Sequence, residues 1–361
     1  MDITKIDKNF AVESELKRDG LVFYNIEDKK FSTSGFMKED GDYVRMSKSV
    51  AHTVTVGKDG CSGGVEGLNY FLAGGRIRFT CDSPYIAVKL KIFLPCKTSH
   101  SSLTGNIGCD LYEGGCGNEK YVGTFIPPYD VTDEYESIID LPTREMRDFT
   151  INLPDYTGVS EVYVGVKDDT VFSPAWKYKY ENPVVFYGSS ITQGGCASRP
   201  GNAYEQMLSA WLGFEYLNLG FSGNAKGETE MAEYIAGLKM SVFVCDYDHN
   251  APTVEHLEKT HEPFFKTFRK LQPNIPVIIM SRPKHRLTDD DKKRLEIIRA
   301  TYKNALANGD KNVYLIEGPT LIPESLSEHY SVDGIHPNDA GLYSMARVIE
   351  PLLKKLLENA D

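Results

Sequence analysis

Pro183-Val184-Val185-Phe186-Tyr187-Gly188-Ser189-Ser190-Ile191-Thr192-Gln193-Gly194-Gly195 decides the reading of this chain. A short apolar run closed by glycine reads as a buried strand. It ends in Gly-Ser-Ser and turns through two more glycines toward a helical segment. Such a turn holds a serine hydroxyl at the open end of a sheet, and the helix N-terminus that follows offers unpaired N–H groups to an anion. Near the C-terminus, Ser331-Val332-Asp333-Gly334-Ile335-His336-Pro337-Asn338 precedes another helical pattern. A serine after an early strand, with Asp and His before a last helix, supplies the parts of an acyl-transfer site.

Outward from that stretch, apolar strands alternate with amphipathic helices. Strands are expected at 184–187, 215–219, 241–245, 276–280 and 312–316. Helices are expected at 202–212, 228–238, 254–271, 289–308 and 340–358. Nearly continuous apolar strands between helices mean a five-stranded parallel sheet covered on both faces. The chain before about residue 180 follows a different grammar. Runs at 75–80, 85–92, 149–153 and 162–166 alternate apolar and polar residues. Turns such as Lys58-Asp59-Gly60 and Pro154-Asp155-Tyr156-Thr157-Gly158 separate such runs. Many short strands predict an antiparallel, jelly-roll-like β-sandwich, and no helix is expected in this half. The fold class is therefore α/β with a preceding β-sandwich. Two domains are expected, at 1–178 and 179–361.

The 361 residues carry a net charge of −11, which disfavours nucleic-acid binding. No apolar run is long enough for a membrane span, and the first thirty residues lack the apolar core of a signal peptide. Seven scattered cysteines (61, 81, 96, 109, 116, 196 and 245) read as reduced thiols of a cytoplasmic protein. Self-association into a homo-oligomer is left open.

In an open α/β sheet, ligands bind at the carboxyl ends of the strands. Four such ends carry distinctive residues: Ser190, then Gly220-Phe221-Ser222-Gly223-Asn224, then Asp246-Tyr247-Asp248-His249-Asn250, then Asp333 and His336. This half resembles the SGNH (GDSL-type) hydrolases, whose four blocks supply a Ser, a Gly, an Asn and a His. Here these fall on Ser190, Gly223, Asn250 and His336, in block order. Gly108-Cys109-Asp110-Leu111-Tyr112 resembles the Gly-x-Asp-Leu-Tyr signature of a β-rich domain that precedes some of these esterases. The resemblance implies a flavodoxin-like three-layer α/β/α domain, no cofactor, and a carbohydrate esterase with acetyl as the acyl group. Two blocks depart from the family pattern. Ser189 stands at the position of the usual Asp, and Asp248-His249-Asn250-Ala251 lacks the usual Gly and final Asp.

Side-chain chemistry assigns the roles. Serine needs a base, so His336 must reach Ser190, with Asp333 behind the imidazole. The Ser190 N–H, the Gly223 N–H and the Asn250 amide are the candidate oxyanion donors. Glycine at 223 is read as clearing room for the ligand. Ser189 and His249 are candidate substrate contacts, as are Asp110 and Tyr112 if their loop reaches the site. Ser189 is also the rival nucleophile. Metal ligation by Asp246, Asp248, His249 and His336 lacks a supporting His or Cys spacing, so no metal is expected. The expected partner is a small-molecule or oligosaccharide ester. The rival reading is a non-catalytic carbohydrate-binding protein with a degenerate hydrolase domain.

Overall fold

The computed structural model describes residues 3–8, 11–12, 15–56 and 64–360. The expected Lys58-Asp59-Gly60 turn and Cys61 lie outside them. The first half of the chain runs through β1 (Leu21–Asn25), β2 (Ser32–Ser34), β3 (Met37–Glu39), β4 (Asp42–Val44), α1 (Lys48–Val56), α2 (Gly64–Leu68), β5 (Arg76–Cys81), β6 (Tyr85–Phe93), α3 (Leu103–Asn106), β7 (Cys109–Glu113), β8 (Lys120–Phe125), β9 (Glu134–Asp140), β10 (Arg147–Asn152), β11 (Gly158–Lys167) and β12 (Phe172–Ser173). One antiparallel sheet has the order β1-β11-β6-β9. The other has the order β12-β5-β10-β7-β8, with β2 also paired to β5. Alternate residues of both sheets, among them Ile77, Phe79, Val88, Leu90, Phe149 and Val164, share one apolar core.

The polar face of β5 is buried as well. Arg76 lies over the Tyr216 ring, 3.7 Å from its centroid, and pairs with Glu215. Its buried charge is thus both paired and stacked, as burial of a guanidinium requires.

The second half runs through β13 (Tyr180–Gly188), α4 (Tyr204–Leu212), β14 (Phe214–Gly220), α5 (Thr229–Ala236), β15 (Val242–Asp246), α6 (Val254–Leu271), β16 (Val277–Met280), α7 (Asp289–Ala307), β17 (Val313–Ile316), α8 (Gly318–Leu321) and α9 (Asp339–Ala360). The five strands are parallel, in the order β14-β13-β15-β16-β17. Strand alternation splits β13 between the two faces. Val185 and Tyr187 join the core under α5, α6 and α7, while Val184 and Phe186 join the core under α4, α8 and α9. All five expected strands and all five expected helices form within a few residues of their predicted ends.

Two expectations are corrected. The first half does contain helices, α1 and α2 above all. Lys48-Ser49-Val50-Ala51-His52-Thr53-Val54-Thr55-Val56 is rich in β-branched residues, which are weak helix formers. Burial decides otherwise: Ala51, Val54 and Val65 pack into the same core as α5. Nor does a helix follow the serine turn directly. Residues 190–196 form consecutive turns, and α4 begins only at Tyr204.

Candidate active site

Gly188, the last residue of β13, sits so close to its neighbours that a β-carbon would lie 2.1 Å from Thr192 Oγ1 and 2.5 Å from the Asp246 carbonyl oxygen. The chain can turn this tightly only without a side chain there. The Ser189 N–H donates to the Asp246 carbonyl at 3.2 Å, and the Gly195 N–H returns to the Ser190 carbonyl at 2.7 Å. Ser190 is thereby fixed at the carboxyl end of β13, an interior strand of the sheet. Its Oγ lies 2.8 Å from His336 Nε2.

The histidine is held by its own loop. Asp333 Oδ1 accepts from the N–H groups of Ile335 and His336, at 2.9 and 2.7 Å. Asp333 Oδ2 lies 2.7 Å from His336 Nδ1. One carboxylate oxygen shapes the turn while the other orients the ring. Burial pushes the Asp333 carboxyl up, but the bonds from His336 and Ile335 outweigh it and hold it at about 2. An ionised Asp333 keeps the proton on Nδ1 and presents the Nε2 lone pair to the Ser190 hydroxyl. Ser198 ties the Ser190 loop to the start of α9 through the Asp339 carboxylate, at 2.8 and 2.6 Å.

The oxyanion candidates have donors to spare. Among the described residues, the N–H groups of Ser190 and Gly223 meet no acceptor. Asn250 Nδ2 donates one hydrogen to the Phe221 carbonyl at 2.8 Å, leaving its second N–H. Gly223 has a φ of +70° and open space around its would-be β-carbon. The positive φ gives glycine a backbone reason at 223, and the open space beside it leaves room for a ligand.

Several expected substrate contacts lie elsewhere. Ser189 is fully buried, and its Oγ accepts from the Ile191 N–H, so it faces the fold and not a ligand. Asp110 is also fully buried, accepting from Asn152, from Arg199 and from the Gly201 N–H at 2.7–2.8 Å. Tyr112 Oη takes a second bond from Arg199 at 2.6 Å. The Gly-x-Asp-Leu-Tyr strand thus clamps the 199–201 turn to the antiparallel half; it does not contact the site. His249 is half-buried beside Asn250. Burial first, then the nearby Arg282 charge, pushes its imidazole down to about 3, so it stays neutral. Asp248 is spent on Arg282 and Arg294.

A groove of about 520 Å³ opens beside His336. Much of its wall comes from the antiparallel half: Leu68 at the end of α2 and Phe71 just after it, Leu94, His100, Asn106 and Tyr156. Gly195, Cys196, Ser222 and Asn224 complete it. Gly195, Ser222 and Asn224 lie in stretches singled out from sequence; Leu68, Phe71, Leu94, His100 and Asn106 do not, because they come from segments far apart in the chain that no motif marks.

Residues 181–354 match the model of the GDSL-like lipase/acylhydrolase family. Residues 21–172 match that of the N-terminus of SGNH-hydrolase-type esterases. A GDSL-like lipase structure from Bacteroides ovatus is similar over 94% of this chain and 98% of its own, with 26% identity and a TM-score of 0.81. The salicylyl-acyltransferase SsfX3 of a tetracycline biosynthetic pathway has the same coverage, 17% identity and a TM-score of 0.72. A family two carbohydrate esterase from Cellvibrio japonicus, again over 94% and 98%, has 11% identity and a TM-score of 0.60. No curated protein matches this chain significantly.

Proposed function

We propose that this chain, which belongs to the GDSL-like lipase/acylhydrolase family and carries the N-terminal region of SGNH-type esterases, is a serine esterase that removes a short acyl group, acetyl above all, from a carbohydrate alcohol. The observation that carries the reading is the unbroken Ser190–His336–Asp333 chain at the mouth of the groove.

Ser190 Oγ attacks the ester carbonyl while its proton passes to His336 Nε2. Asp333 stabilises the imidazolium. Charge developing on the carbonyl oxygen is met by the Ser190 and Gly223 N–H groups and by the Asn250 amide. Each such donor is worth about 3–4 kcal/mol of transition-state stabilisation. The sugar alcohol then leaves with the proton from His336. Water, activated by the same base, cleaves the acyl-enzyme and returns Ser190 to its starting state.

The carbohydrate reading is supported by the groove wall. Phe71 and Tyr156 offer apolar ring faces, and Asn106, Ser222 and Asn224 offer hydrogen-bonding groups beside them. A sugar presents the same mixture of apolar face and polar edge. We assign much of the wall to a domain of residues 1–178, and the triad with the rest of the wall to a domain of residues 179–361. The test is turnover of p-nitrophenyl acetate and butyrate and of an acetylated xylo-oligosaccharide. We expect hydrolysis of acetate over butyrate and release of acetate from the sugar. Sugar binding with no turnover of any ester would replace this reading with a carbohydrate-binding one.

A further inference from the structure

Cys196 occupies an unusual backbone position. Its φ is +67°, in the left-handed region where a β-carbon costs about 1–2 kcal/mol. Glycine is the ordinary occupant there, yet a thiol is held at the groove wall. The thiol points across the loop, donating to the His100 carbonyl at 3.6 Å. The His100 and His336 rings lie 5.7 Å apart. One ligand atom from each of His100, Cys196 and His336 falls within 4.8 Å of the other two. Two imidazoles and a thiol are a zinc-type donor set. Tetrahedral zinc, bonded at roughly 2.0–2.1 Å to nitrogen and roughly 2.3 Å to sulfur, needs donors roughly 3.3–3.8 Å apart. The exposed His100 side chain has no hydrogen bond among the described residues, so it is free to close that difference.

The orientation of His336 completes the case. Its Nδ1 is bonded to Asp333, so Nε2 carries the lone pair. A carboxylate behind a ligating histidine is the usual support of a metal-bound imidazole. That lone pair is also the one that accepts the Ser190 proton. It cannot serve both.

We propose that His100, Cys196 and His336 form a chelating site for a thiophilic divalent cation, with Zn²⁺ as the type case, whose occupancy withdraws the base from Ser190. On binding, the cation forms bonds to the Cys196 sulfur, to His336 Nε2 and to a His100 ring nitrogen. The thiol proton leaves to solvent, and the Ser190–His336 hydrogen bond breaks. The cation site stands on geometry; its effect on turnover rests on the esterase reading.

The test uses the full chain, prepared free of metal. Co²⁺ titration should raise a thiolate-to-cobalt charge-transfer band that saturates at one ion per chain. Cys196→Ser should abolish the band. His100→Ala should weaken binding by at least the roughly 10–100-fold that even an outer-shell partner contributes. In parallel, Zn²⁺ should suppress ester turnover reversibly in wild type, chelator should restore it, and Cys196→Ser should resist when judged against its own metal-free rate. A missing band, a band that survives Cys196→Ser, or equal inhibition of wild type and Cys196→Ser would overturn the proposal. A metal-free wild type that turns over no ester counts against the esterase reading, while the cobalt band still decides the site.

Discussion

Tyr156 donates a hydrogen bond from its phenol to the backbone carbonyl of Ser190 at 3.2 Å. The antiparallel half therefore holds the Ser190 turn directly, in addition to forming much of the groove wall. Burial pushes the Tyr156 phenol well above its usual range, so it remains a donor at any working pH. Tyr156→Phe keeps the ring and removes this bond. A neutral hydrogen bond contributes about 0.5–1.5 kcal/mol, and here it acts on the geometry of the Ser190 turn. We expect kcat to fall by up to about tenfold with little change in KM. Steady-state kinetics on p-nitrophenyl acetate checks this.

The clamp at Asp110 makes a stability prediction. Arg199 Nη1 bonds both the buried Asp110 carboxylate and Tyr112. Burial pushes the Asp110 carboxyl up, and the Arg199 charge pulls it down. Removing one member of such a pair leaves a charge with no partner. Asp110→Ala should cost about 3–5 kcal/mol in denaturant unfolding. A Ser190→Ala control should unfold like wild type.

Gly223 separates backbone need from ligand clearance. With open space around its β-carbon and a φ of +70°, Gly223→Ala meets conformational strain alone. We expect a folded protein destabilised by about 1–2 kcal/mol. If its N–H is an oxyanion donor, any shift of that N–H lowers kcat further. Thermal melts and kinetics on one preparation separate the two effects.

What could be read from the chain follows from where the information is local. The strand–helix alternation after 182, Ser190, and the Asp333-to-His336 spacing are local patterns, and the structure holds them at one sheet edge. Helix α1 escaped notice because its β-branched residues argue against a helix until α5 buries them. Asp110 and Tyr112 carried a recognisable motif but no sign of what they touch; Arg199, the partner that explains them, lies 89 and 87 residues away. Leu94, His100 and Tyr156 reach the groove only through tertiary folding.

Buried His261 and half-buried His249 set an acid limit. Burial pushes His261 down to about 4 and His249 down to about 3. An unfolded imidazole titrates near 6.5. Below that value the unfolded chain binds protons that the folded one refuses, so stability falls as pH drops. The His261 contribution is intact above about 6.5 and lost progressively down to about 4, on the order of 3 kcal/mol in all. His261 Nδ1 lies 2.8 Å from Thr301 Oγ1. His261→Asn retains a partner for Thr301 without a titrating ring, so its melting temperature should depend less steeply on pH across this window.

The central claim is that His336 activates Ser190. The most direct measurement is covalent labelling with a fluorophosphonate, followed by peptide mass spectrometry on wild type, Ser190→Ala and Ser189→Ala. We expect one adduct on Ser190, absent in Ser190→Ala and retained in Ser189→Ala. No adduct on the wild type, or an adduct on any other residue, would contradict the account.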